Sequence, residues 1–162
     1  MKEYTKGFLT GSAIVMLIEI ITRIVRATAL ATHCAAYSAY GTTFGLLYTP
    51  DLSSKLGKNG KEVSIVMRLD TGADISLVPR MVADELGVDL KSGVPVEITS
   101  LDGKSTAYIH RLNFTFGEIA IHDLPVAISE KDTMPFLLGC LGVLDSTSVS
   151  LSRVDVNTCF ST

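Results

Sequence analysis

The sequence predicts a small, mainly β domain that closes on itself, with one short helix and an apolar segment ahead of it. Three observations carry this. From residue 63 onward apolar residues recur at every second position, the period of half-buried strands. These runs, about seven in number, are short and separated by Gly, Asp, Asn or Pro, the residues of tight turns. A single stretch, opening at Pro79, breaks the alternation with helical spacing. At 162 residues the chain has the length of one domain with an appendage.

Residues 1–45 stand apart as a hydrophobic segment, expected to be helical, ahead of a folded domain over residues 46–162. Residues 8–25 are apolar except for Glu19 and Arg23, and residues 27–48 contain no Asp, Glu, Lys or Arg. Four readings stay open. Residues 14–25 can form an amphipathic or buried helix. Lys2 and Lys6 before an apolar run, with small residues at Ala27-Thr28-Ala29, fit a signal peptide. Arg23 and Arg26 ahead of the uncharged stretch fit an anchor with the C-terminal part outside. The segment can also be an extension from an upstream start. A charge costs about 2.5–3.5 kcal/mol at the centre of a spanning helix, which weakens the first apolar run as a span. The expected location is cytoplasmic, with membrane anchorage through residues 8–48 as the alternative.

Residues 49–60, with Pro50, Ser53, Ser54, Gly57, Asn59 and Gly60, read as linker and hairpin turn. In the strand that follows, Val63, Ile65, Met67 and Leu69 share one face and Ser64, Val66 and Arg68 the other. The helix has Pro79 at its start and Gly87 just past its end, with Val78, Met81, Val82 and Leu86 on one face. Residues 94–100 and 105–112 then flank Leu101-Asp102-Gly103-Lys104, where Asp-Gly between alternating runs signals a hairpin. Short strands follow at residues 113–116, 119–121 and 124–128, with Pro125 at a strand start or edge. Phe136-Leu137-Leu138-Gly139 is an apolar run ending in glycine, and residues 149–154 form a final strand.

Composition excludes several function classes. The chain has 14 Lys and Arg against 17 Asp and Glu, with no basic block, so nucleic acid is not an expected partner. Cys34, Cys140 and Cys159 are odd in number and lack C-x-x-C spacing, which reads as free thiols in a reducing compartment. His33, His110 and His122 are too scattered to complete a zinc site, so neither metal nor cofactor is expected. Asp84, Glu85, Asp132 and Asp145 read as solvated charges. No G-x-S-x-G or H-E-x-x-H offers another catalytic centre.

The chemistry concentrates at Asp70-Thr71-Gly72-Ala73-Asp74. An ionised carboxylate in a tight turn between two apolar runs is costly unless water or partners reach it. Two carboxylates a few ångströms apart can hydrolyse a peptide without metal or covalent nucleophile, because like charges so close share one proton. Thr71 can fix the turn through its hydroxyl, Gly72 lets backbone approach the carboxylate, and Ala73 is small enough not to crowd it.

Leu69-Asp70-Thr71-Gly72-Ala73-Asp74 after a β run, followed by a helix, an Asp-Gly hairpin and a late Leu137-Leu138-Gly139, resembles the retropepsin-like aspartic proteases, nearer to small prokaryotic members than to viral ones. The resemblance covers residues 46–160. It implies a closed β-barrel, Asp70 as the catalytic carboxylate, and Thr71, Gly72, Ala73 and Asp74 as its supporting loop. It also implies that Leu138 and Gly139 back the site, and that a flap bearing Leu101, Asp102 and Gly103 grips a peptide or protein substrate. The chain has no second Asp-Thr-Gly or Asp-Ser-Gly, so a dyad needs a homodimer contributing Asp70 twice. Two features depart from the family pattern. Many retropepsins follow the late glycine with Arg, which pairs with the acid at the position of Asp74; here Cys140 follows, leaving Arg68, Arg80 or Arg153 as substitute partners. The flap tip carries only one glycine, Gly103. A retropepsin-fold module that dimerises or binds peptides with little or no turnover is therefore the second expectation.

Overall fold

The computed structural model describes residues 32–100 and 103–161. The longest regular run begins with a hairpin, β4 (Asp51–Lys58) and β5 (Lys61–Leu69), closed by Asn59 and Gly60. Both turn residues have positive φ, 52° and 79°, the geometry whose twist matches paired strands. The expected alternation holds: Val63, Met67 and Leu69 are buried while Ser64, Val66 and Arg68 are exposed.

After β5 come β6 (Ser76–Val78) and the helix α1 (Met81–Leu86). Val82, Ala83 and Leu86 bury one face of α1, and Gly87 ends it with φ 65°, left-handed as at many helix C-termini. The Asp132 carboxylate accepts from the Met81 amide at 2.7 Å, satisfying a donor that the helix itself leaves open. Asp132 is thus an exposed charge, as expected, that also caps the helix, a role set by a loop 51 residues distant in sequence. Asp145 likewise accepts from the Gly142 amide at 3.2 Å.

β7 (Val94–Ser100) and β8 (Gly103–Phe116) form the expected hairpin, in register from Val94↔Ile109 to Ser100↔Gly103. β8 is one long strand where two short ones were expected, bent by an irregularity between Leu112 and Phe114. β9 (Ile119–Ser129) similarly runs unbroken through Pro125, and β10 (Leu137–Leu138) is the Leu-Leu of the late motif.

The strands lie in the order β4-β5-β10-β6-β9-β8, and β8 returns to pair with β4, closing a six-strand barrel with β7 on its rim. Closure removes the sheet edges that would otherwise invite aggregation. Leu52, Leu56, Met67, Phe114, Leu124 and Ile128 fill its interior with Leu138 and α1's Leu86. The expected closed β-barrel with one short helix is thus the observed fold.

The described compact unit begins near Ala31. β1 (Thr32–Ala36) pairs with β12 (Asn157–Ser161), which also pairs with β11 (Ser148–Ser152). This sheet reaches the barrel core through Phe160, whose ring meets Phe116 edge-on at 5.3 Å, while His33 meets Phe116 at 4.6 Å. β2 (Ser38–Thr42) and β3 (Gly45–Thr49) form a two-stranded ribbon. Within residues 32–45 the helical expectation is therefore replaced by strand. Thr32, Tyr37, Tyr40, Thr42, Thr43 and Phe44 there are of the β-branched and aromatic types that favour paired strands. The remainder of the expected helical segment lies outside the described residues, as do Leu101 and Asp102. Among the described residues no helix is long and apolar enough to cross a membrane.

The expectation of three free thiols is overturned at two positions. Cys34 and Cys159 face each other directly across β1 and β12, with Cα atoms 4.0 Å apart, and are disulfide-bonded. Spacing along the chain carries no sign of this, since the two lie 125 residues apart. Cys140 is free.

Candidate active site

β5 delivers its last buried side chain at Leu69 and releases the chain into the turn that begins with Asp70. The Gly72 amide donates to the Asp70 carboxylate at 2.9 Å, and the Ala73 amide to the Asp70 carbonyl at 3.2 Å. A Cβ on residue 72 would sit 3.2 Å from that same carboxylate oxygen, so glycine permits the close approach. Asp70 is half-buried; Thr71, Gly72 and Asp74 are exposed. The carboxylate is held by its own loop yet open to a reactant.

Leu138 and Gly139 hold the loop from behind. β10 lies between β5 and β6, parallel to one and antiparallel to the other. The Asp70 amide donates to the Leu138 carbonyl at 3.0 Å, the Gly139 amide to the Ser76 hydroxyl at 3.1 Å. The next two amides, of Cys140 and Leu141, donate to the carbonyls of Ala73 and Asp74 at 2.9 and 2.8 Å. Gly139 packs directly on backbone: a Cβ there would lie 2.6 Å from the Ile75 carbonyl oxygen and 2.8 Å from that of Ala73. The late Leu-Leu-Gly run is thus the clamp on the Asp70–Asp74 loop. The structure brings together seven of the expected site residues, Asp70 to Asp74 with Leu138 and Gly139. Gly103 lies opposite Ser100 at the end of the β7–β8 hairpin.

None of the three arginines considered as substitutes pairs with Asp74. Arg68 binds Asp51, Arg80 lies 3.8 Å from Asp84, and Arg153 donates to the Tyr48 carbonyl. Among the described residues Asp74 has no ion-pair partner. The Cys140 thiol, at the position of the family's arginine, instead meets the Thr71 carbonyl at 3.5 Å.

Beside the loop stands a polar network that sequence reasoning missed. Asp51, with its side chain only 4 % exposed, accepts from Arg68 Nε at 2.8 Å, Tyr40 Oη at 2.6 Å and Thr49 Oγ1 at 2.9 Å. Burial pushes this carboxyl upward, but the Arg68, Tyr40 and Thr49 hydrogen bonds and the Arg68 charge outweigh it and hold the pKa at about 2. The hydrogen bond to Asp51 raises the Arg68 guanidinium in turn. Arg68 is two residues before Asp70, and the Leu69 amide donates to the Pro50 carbonyl at 2.9 Å. The β3–β4 corner is therefore fastened to the strand that presents Asp70. Asp51 sits within the stretch read as linker; the one available signal was an acid directly after Pro50, between apolar runs.

A family profile described as aspartyl protease matches residues 55–143, from β4 through the Leu138-Gly139 clamp. The chain belongs to the aspartyl protease family. Its fold matches the crystal structure of a retropepsin-like aspartic protease from Rickettsia conorii, with a TM-score of 0.56 and 17 % identity. That match covers 80 % of this chain and 98 % of the other. No curated protein matches the chain. The retropepsin-like motif, barrel and clamp thus belong to one unit, and the chain carries one Asp-Thr-Gly.

Proposed function

We propose that the protein is an aspartic endopeptidase in which two chains each contribute Asp70 to one site. The observation that carries this is the Asp70 carboxylate itself, presented at the end of β5, bonded to the Gly72 amide and clamped from behind by Leu138 and Gly139, in a chain of the aspartyl protease family.

A pair of such carboxylates shares a single proton. The ionised partner takes a proton from a water held between them, and the water oxygen bonds to the scissile carbonyl carbon. The protonated partner gives its proton to the carbonyl oxygen, forming a tetrahedral gem-diol. Protonation of the amide nitrogen and collapse of the gem-diol break the C–N bond and restore the shared proton. The β7–β8 hairpin covers the peptide and excludes water, and substrate backbone adds along strand edges.

Full-length protein is expected to cleave unfolded proteins or peptide libraries, with inhibition by a statine-type transition-state mimic and loss of cleavage in Asp70→Asn. Equal behaviour of wild type and Asp70→Asn, with both dimeric, would leave the second reading, a peptide-binding or dimerisation module. Asp74, which has no ion-pair partner among the described residues, and Cys140 in the arginine's place favour that second reading. The Cys34–Cys159 bridge supports an oxidising surrounding for the domain, in place of the reducing one suggested by the cysteine count.

A further inference from the structure

The β2–β3 ribbon does not take part in the barrel, and among the described residues each of its strands has a single hydrogen-bonded neighbour, the other strand. Its tip is closed by Thr42, whose hydroxyl donates to the Gly45 carbonyl at 2.8 Å and accepts from the Phe44 amide at 3.2 Å. Phe44 is fully exposed, Leu46 64 % and Leu47 49 % exposed. Leu46 pairs with Gly41 and Leu47 with Tyr40, so the two leucines project from opposite faces and apolar surface is offered on both. No Asp, Glu, Lys or Arg occurs from residue 27 to residue 50. Exposed strand edges normally carry charge, proline or a cover that blocks pairing with another chain; this ribbon carries no charge or proline, and among the described residues Phe44 and Leu46 at its tip lie uncovered.

The ribbon is nevertheless held at both ends. At its start the Tyr37 amide donates to the Val156 carbonyl at 2.9 Å, next to the disulfide-tied β1. At its end Tyr40 and Thr49 bond Asp51, and the Arg68 guanidinium lies 5.8 Å over the Tyr40 ring. A fixed root with an apolar, uncovered blade is the form of an arm.

We infer that the β2–β3 ribbon is a dimerisation arm that docks on a second copy of this chain, resting on the reading that Asp70 works in pairs. The arm is rooted on Arg68, two residues from Asp70, so its base lies beside the carboxylate that needs a partner. Its lack of charge suits self-association, because a patch meeting its own copy across a two-fold axis brings like charges together. A phenylalanine offers roughly 200 Å² for burial, and two arms together would cover on the order of 1,000 Å², where specific interfaces begin. A lipid bilayer is the weaker occupant, since it would leave the ribbon's unpaired backbone edges without hydrogen bonds.

The test compares full-length wild type, Phe44→Ser, Leu46→Ser and Asp70→Asn by sedimentation and by cleavage rate against protein concentration, with circular dichroism as the fold control. Truncating an anchor side chain costs about 30-fold in affinity, and each substitution is present twice, so either arm variant should dissociate on the order of 1,000-fold more readily. Its specific activity should recover as concentration rises, while Asp70→Asn stays dimeric and inactive at all concentrations. Folded arm variants that dimerise and cleave like wild type would overturn the arm and leave the paired-Asp70 reading intact. Cleavage by wild type that remains monomeric would overturn both. Monomers that float with phosphatidylcholine vesicles through Phe44 would overturn the arm in favour of a membrane contact.

Discussion

Removing the charge of Asp51 tests the network beside the active-site loop most directly. Its side chain is 4 % exposed and bonded to Arg68, Tyr40 and Thr49, and its pKa is held at about 2 against an ordinary 3.8. A folded pKa below the unfolded one means that the native state binds the proton less readily. The stabilisation is therefore complete above the unfolded value and is lost as pH falls from that range through the folded value. The difference amounts to about 2 kcal/mol, at 1.36 kcal/mol per pKa unit. Asp51→Asn keeps the shape but turns an amide donor toward Arg68 or strips the acceptor from it. Breaking one side of a buried pair costs about 3–5 kcal/mol, and because Arg68 is nearly half exposed and regains water, the expected loss at pH 7 is about 2–3 kcal/mol. Urea unfolding reads this as a midpoint lower by roughly 1 M. The gap should narrow by about 2 kcal/mol between pH 5 and pH 2, since only the wild type has this charge to lose. A gap that stays constant over that range would refute the argument that the Asp51 charge, and not merely its shape, fastens the β3–β4 corner.

Gly139→Ala places a methyl 2.6 Å from the Ile75 carbonyl oxygen and 2.8 Å from that of Ala73, both backbone atoms. The clamp must shift, and a loss of about 2–3 kcal/mol in unfolding free energy together with a fall in cleavage rate is expected, read by thermal unfolding and peptide assay. Unfolded without reductant, the protein should titrate one thiol, Cys140, and three after reduction. Reduction should also lower stability by about 2–5 kcal/mol, since the bridge spans 125 residues of chain.

What was legible in the sequence was local. Val63, Met67 and Leu69 alternate with polar residues, so β5 and its inward face follow from the period alone. Asn59-Gly60 and Gly87 declare their conformations because few other residues tolerate positive φ. Asp70 to Asp74 and Leu138-Gly139 were found because their spacing matches a known arrangement. What escaped was non-local. Cys34 meets Cys159, Asp132 caps α1, and Asp51 meets Tyr40, Thr49 and Arg68 through pairings fixed by barrel closure and strand register. The expectation that Asp74 would recruit an arginine failed for the same reason, since Arg68 and Arg153 are committed elsewhere by the ribbon they anchor.

The Asp70 loop is fastened from two sides. Behind it, five hydrogen bonds run between the Asp70–Ser76 stretch and residues 138–141, the Cys140 thiol included, and within the turn the Gly72 and Ala73 amides both donate to Asp70. Beside it, the Asp51 network locks Arg68 and the corner at Pro50. Both sets are complete within one chain, so the turn has its shape before any partner arrives. Under the proposed pairing, a second copy need not induce that geometry; it has only to bring its own Asp70 alongside. If two chains pair as proposed, the cost of assembly falls on docking two preformed halves, and the uncharged ribbon rooted at the same network is the surface proposed to bear it.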